Sequence, residues 1–178
     1  MASETNENEK ATAAFFRLYE PVHANLNHFV KAMMHNSDDA KDIISDTVLT
    51  AADNFGKLRN QQAFLGFLFG IASRLIKRHY RKNKQTTELL KSEHDTLHSA
   101  ENAPGSIDAA ILRQALEELP PEQREAVVLF ELMGFSLNEI VEIQQSSLSA
   151  VKSRVARGRE KLRKLLTDKE SATKSRKK

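Results

Sequence analysis

The chain has 178 residues, a formal net charge of +3, 40% hydrophobic residues and no cysteine. That length suits one domain or two small ones, and the missing cysteines exclude disulfides, thiolate catalysis and Cys-ligated zinc. The polar start MASETNENEK lacks an apolar signal core, and no apolar run approaches the roughly 18 residues of a membrane span; the chain reads as cytoplasmic, with no membrane partner.

Helical spacing dominates the first half. Phe15, Tyr19, Val22, Leu26, Phe29, Val30 and Met33 recur every three or four residues and form one apolar stripe. Pro21 falls inside that stripe and predicts a kink or break. The stretch HNSD, His35 to Asp38, supplies turn and cap residues. A second stripe follows with Ala40, Ile43, Ile44, Thr47, Val48 and Ala51. NFGKLRNQQ, Asn54 to Gln62, reads as a loop. A third helix carries Phe64, Phe67, Leu68, Ile71, Ala72 and Leu75, and its far end is the basic run RLIKRHYRKNK.

Composition then changes. Residues 85–107 are polar, mildly acidic and end near Pro-Gly-Ser, which predicts a flexible linker. His94 and His98 stand four apart in it, a spacing that by itself names no metal site. Beyond it, Ile111, Leu112, Ala115, Leu116 and Leu119 form a stripe that ends at Pro120 and Pro121. The next helix presents Ala126, Val127, Leu129, Phe130 and Met133 and stops at Gly134, a natural residue for a helix end. Ser136 and Glu139 match a capping box, so a short helix starts at Leu137 and ends near Gln144. The last helix runs from Leu148 to about Leu166, apolar at Leu148, Val151, Val155, Leu162 and Leu165, with Gly158 on the same side. Residues 167–178 read as a basic, disordered tail. The expected fold class is therefore all-α: a helical domain over 11–84, a linker, and a second helical domain over 108–166.

Charge is segregated. Residues 74–84 hold six Lys or Arg and no acid, and residues 148–166 hold seven against one Glu. A short capped helix followed by a basic, one-sidedly apolar helix is the layout of a helix-turn-helix. In that layout Lys152, Ser153, Arg154 and Arg157 face base edges, with Ala156 among them, while Arg159, Lys161, Arg163 and Lys164 suit phosphates. A surface helix of a bundle is the alternative that pattern leaves open. Asp39, Asp42 and Asp46 share a helix face. With no phosphate loop or His–Cys cluster beside them, no catalytic residue, metal or cofactor is expected.

The segment ALEELPPEQREAVVLFELMGFSLNEIVEIQQSSLSAVKSRVARGREKLRKLL resembles the C-terminal promoter-binding domain of the extracytoplasmic-function sigma factors. Its markers are Leu119 and Pro120, Arg124, GFSLNEI and VKSRVARGREKL. DDAKDIISDTVL and FLGFLFGIASRLIKRHYRK resemble the same family's N-terminal domain, in the matching order. The resemblance implies a subunit that binds core RNA polymerase and directs promoter-specific initiation. The last helix would read the upstream promoter element as duplex, and the first domain would capture the downstream element as a melted strand. It assigns the melted strand to Lys57, Arg59 and Asn60 of the loop and to Arg74, Lys77, Arg78, Arg81 and Lys82. It assigns the polymerase clamp to Asp39, Asp42, Ser45 and Asp46, and it admits an anti-sigma factor as a further partner. A sigma-like inhibitor of polymerase and a stand-alone helix-turn-helix repressor are the competing functions. Three departures from the family pattern lie at the turn: Gln145 replaces a glycine, Ser146 an apolar residue, and Ala150 a common threonine.

Overall fold

The computed structural model describes the backbone of residues 2–58, 60–90 and 107–175, and side chains over 10–58, 60–83 and 109–167. Among the described residues the regular structure is all helical, and the chain divides into two compact units, Met1–Leu97 and His98–Lys178.

In the first unit, α1 spans Ala2–Tyr19 and α2 spans His23–Met33. Pro21 separates them as expected, within a 3-10 turn at Glu20–Val22. Helix α3, Ser37–Asp53, is started by Asn36, whose Oδ1 accepts from the backbone N–H of Asp38 at 2.7 Å and of Asp39 at 3.3 Å. Asp38 and Asp39 also complement the positive end of the helix dipole. The loop closes through 3-10 turns at Phe55–Lys57 and Gln61–Ala63 before α4, Phe64–Leu90.

Burial follows the expected stripes. Leu26, Phe29, Val30, Ala51, Leu68, Phe69 and Ala72 are fully enclosed. Phe15 packs edge-on against Phe55 and Phe64, each with ring centres 5.7 Å away, and Phe29 lies 5.0 Å from Phe69. Each such ring contributes on the order of 1.5–3 kcal/mol through burial. Phe64 is thereby a core residue, as the stripe predicts, and Phe69 joins it from outside that stripe, whereas Phe67 is half-buried. The single polar side chain of the α3 core stripe, Thr47, is satisfied because its hydroxyl donates to the Ile43 carbonyl at 2.6 Å. The Tyr80 hydroxyl donates to the Met33 carbonyl and ties the far part of α4 to the end of α2.

The second unit comprises α5, Ile107–Glu117; α6, Pro121–Val127; α7, Leu137–Gln144; and α8, Leu148–Ser175. Helix α6 continues through a π turn, Val128–Leu132, which periodicity does not reveal. It is defined by Met133 N–H donating to the Val128 carbonyl at 3.0 Å, and Gly134 then turns the chain at φ +75°. That turn places Phe135 in the core, at 4% exposure. Val151, Val155 and Gly158 of α8 face α6, so closely that a Cβ on Gly158 would lie 2.5 Å from Val127 Cγ2.

Two boundaries differ from expectation. Helix α4 runs to Leu90, into the stretch read as linker, and α8 runs to Ser175, past Leu166 and through the stretch read as a disordered tail. Neither extension contains proline or glycine, so nothing in the backbone chemistry stops the helix where amphipathicity fades. His94 and His98 lie outside the described residues.

Candidate nucleic-acid interface

Helix α7 is fixed at its start by a complete capping box. The Ser136 backbone N–H and hydroxyl donate to Glu139 Oε2 at 2.8 and 2.6 Å, and the Glu139 N–H donates back to Ser136 Oγ. These donors hold the Glu139 carboxyl below the usual carboxylate range. At the other end Gln145 is left-handed, with φ 51° and ψ 54°, the one positive-φ non-glycine among the described residues. Ser147 then begins α8, its hydroxyl accepting from the Ala150 N–H at 3.2 Å.

With Val151, Val155 and Gly158 turned inward, α8 exposes Lys152, Ala156 and Arg157, with Ser153 half-buried beside them. The other cations of this helix over 148–167, where side chains are described, are engaged. Arg154 donates through Nη1 to Gln144 Oε1 at 3.0 Å and Ser146 Oγ at 2.9 Å, and through Nη2 to Glu122 Oε2 at 2.6 Å. Arg159 pairs with Glu131 and stands 4.9 Å from the centre of the Phe130 ring. Lys161 donates to the Glu118 carbonyl at 2.6 Å. Arg163 and Lys164 meet Glu160 at 3.0 and 3.3 Å; they lower its carboxyl below the ordinary value, and Glu160 in turn raises the Arg163 guanidinium. Ser153, Arg154 and Arg157 line a shallow groove of about 370 Å³ against Pro120, Pro121, Glu122 and Gln123.

In the first unit, Arg74, Arg78, Arg81 and Lys82 are exposed on α4 and Lys77 is half-buried, with spacings of three and four that keep them together. In the preceding loop Lys57 donates to Asn54 Oδ1 at 2.6 Å, and Asn60 Oδ1 accepts from the Gln62 N–H at 2.9 Å. Asn60 is thus committed through its oxygen to starting a turn, and the residue as a whole is exposed. Arg59 lies outside the described residues. On α3, Asp42, Ser45 and Asp46 are exposed together, whereas Asp39 is half-buried and stands 3.4 Å from His79 Nε2 of α4. Leu49, one turn beyond Ser45, is 64% exposed and extends that face with an apolar side chain that the core stripe does not announce.

Comparison with known proteins decides the family. Residues 18–86 match Sigma-70 region 2, and residues 109–162 match Sigma-70, region 4. The chain is 32% identical to the ECF RNA polymerase sigma factor EcfG of Rhodopseudomonas palustris, over 79% of its own length and 78% of that protein's. The chain belongs to the extracytoplasmic-function sigma factors. This sigma factor is also 31% identical to the RNA polymerase sigma factor CarQ of Myxococcus xanthus, over 88% of the chain and 91% of CarQ. Among solved structures it is similar to the sigma factor RpoE in complex with the anti-sigma factor NepR from Bartonella quintana. That likeness has a TM-score of 0.75 and 27% identity, and covers 86% of this chain and 97% of that one.

As a sigma factor the protein directs transcription initiation with core RNA polymerase at promoter DNA, and it is an initiation factor rather than an enzyme. Among the described residues, no helix is long and apolar enough to cross a membrane. The structure gathers the expected cations of this sigma factor into separate groups on α8 and α4, and divides those of α8 into exposed and internally bonded sets. Glu122 and Gln144, the partners of Arg154, carry no local sequence signal, because they stand 32 and 10 residues away from it.

Proposed function

We propose that the exposed start of α8 reads the upstream promoter element as duplex, that the basic part of α4 with its preceding loop holds the melted downstream strand, and that the exposed face of α3 docks on core polymerase. The observation that carries this reading is the selective exposure on α8. Lys152 and Arg157 have no hydrogen-bond or ion-pair partner among the described residues, on a helix whose remaining arginines are engaged. Their side chains, with Ser153 and the small Ala156 between them, suit the donor-and-acceptor edges of the major groove. Arg159, Lys161, Arg163 and Lys164 add a phosphate-facing charge that their carboxylate and carbonyl partners moderate.

In the first unit, Arg74, Lys77, Arg78, Arg81 and Lys82 supply a cationic track for a single strand, and Lys57, Arg59 and Asn60 frame the place of an unpaired base. Asp42, Ser45 and Asp46, with Asp39 at their edge and Leu49 adding apolar contact, form the polymerase face. The two modules are 11–84 and 108–166, their last helices continuing to Leu90 and Ser175, with the residues between the helices as the tether and 167–178 adding charge. The likeness to RpoE bound to NepR supports an anti-sigma partner for this chain, and work alongside polymerase supports a cytoplasmic location.

The test is competition for core polymerase. Asp42→Lys with Asp46→Lys should abolish binding to core enzyme while leaving the fold, followed by circular dichroism, unchanged. Retained binding would remove α3 from the docking role.

A further inference from the structure

We infer that Arg154 is a positioning residue, a clamp that sets α8 on α6 and α7, and that base selection by this helix belongs to Lys152, Ser153 and Arg157. This rests on the proposed role of α8 and refines it, since the layout of the helix offers Arg154 and Arg157 as equivalent readers.

The geometry separates the two arginines. Arg154 is three residues from Val151 and four from Gly158, both buried, so its stem leaves the helix along the packed face. Its side chain is 22% exposed. The guanidinium fork is filled by Gln144, Ser146 and Glu122, which belong to α7, the turn and α6. Gln144 is itself 6% exposed and donates through Nε2 to Glu125 Oε2 at 2.7 Å and to the Glu122 carbonyl at 3.1 Å; Glu125 is 2% exposed. A continuous polar chain, Glu125–Gln144–Arg154–Glu122, therefore runs through the place where three helices meet. Ser146 takes part because the turn has a hydroxyl where the family pattern has an apolar side chain. The left-handed Gln145 sits between two of the clamp's acceptors, so the clamp spans the strained residue. For Arg154 to reach a base edge it must abandon a carboxylate, an amide oxygen and a hydroxyl together. Arg157 has no such partner among the described residues to abandon.

The experiment uses the full chain, alone and bound to core polymerase, with duplexes randomised over the upstream element and sequenced after capture. Arg154→Ala should weaken capture of every sequence by a common factor of about tenfold, preserve the base preference at each position, and lower the unfolding temperature. Arg157→Ala should flatten preference at one position and leave the unfolding temperature alone. In thermal unfolding, Glu122→Ala and Arg154→Ala should be non-additive, the double variant unfolding little below Arg154→Ala. Arg154→Lys should recover part of the capture with an unaltered preference profile, and it carries the test if the alanine variant does not fold. Loss of preference at one base pair on changing Arg154, with wild-type unfolding, overturns the inference; so do additive unfolding shifts. Failure of the wild-type complex to capture any duplex would instead sink the proposed role of α8, while the unfolding cycle still decides the clamp.

Discussion

Replacing Gly158 by alanine should destabilise the second unit, although alanine is the better helix former. A Cβ at this position would stand 2.5 Å from Val127 Cγ2 and 3.3 Å from both the Gln123 carbonyl oxygen and Leu119 Cδ2. Carbon atoms in contact normally sit about 3.5–4.0 Å apart, so the methyl overlaps Val127 by about 1 Å. Neither Val127 nor Leu119 is more than 2% exposed, so neither can swing out into solvent without giving up its buried contacts. Overpacking of this kind costs about 1–3 kcal/mol, against which alanine in a helix gains about 0.5–1 kcal/mol over glycine. The net loss is roughly 0–2.5 kcal/mol, about 1 kcal/mol at mid-range. For a unit of this size each kcal/mol moves the midpoint by about 4–8 °C. Thermal unfolding followed by the helical dichroism signal measures it, and Val127→Ala added to Gly158→Ala should recover stability by making room. A Gly158→Ala protein that unfolds at or above the wild-type temperature would show that α6 and α8 separate at no cost and refute the packing argument.

Other outcomes follow from the same geometry. Gln145→Gly should raise the denaturant midpoint by about 0.5–1 kcal/mol of stability, because glycine adopts the left-handed conformation without a Cβ clash; a fall would mean the glutamine side chain contributes more than its backbone strain costs. Glu139 is held ionised by Ser136, so its contribution is complete above the ordinary carboxylate value of 4.5 and is lost as pH falls through the lower folded value. Glu139→Gln should therefore lower stability at about pH 6 and matter progressively less as pH falls below 4.5, as read by denaturation across that range. Lys152→Ala and Arg157→Ala should each weaken upstream-element binding by about 1–3 kcal/mol through loss of base contacts, while Arg163→Ala, whose guanidinium is already shared with Glu160, should weaken all sequences evenly and only slightly. Equal losses from all three substitutions across all sequences would contradict the division of the helix.

The helices, their apolar faces and the capping box at Ser136 are legible in the sequence because each rests on local chemistry: a three-to-four spacing, a proline, a serine and a glutamate three apart. Gln145 is legible in a different way, since a non-glycine at the turn signals strain that the left-handed backbone realises. The π turn after Val127 is not legible, because the apolar spacing of Ala126 to Met133 fits a regular helix equally well. The ends of α4 and α8 are missed where the apolar stripe stops but nothing breaks the helix. For the site, the sequence locates both cationic helices but cannot sort their side chains. Arg154 and Arg157 look alike in a string of residues, and only folding brings Glu122 and Gln144 to one of them. Leu49 escapes for the opposite reason: an exposed leucine beside a buried stripe differs from its neighbours only in which way it points.

The central claim is tested most directly by run-off transcription with core polymerase on a library of genomic fragments, followed by mapping of transcript starts. The expected result is a set of starts at a fixed spacing from a shared upstream sequence, lost together with Lys152→Ala and Arg157→Ala. Tight binding of core polymerase with no transcript from any fragment would contradict it.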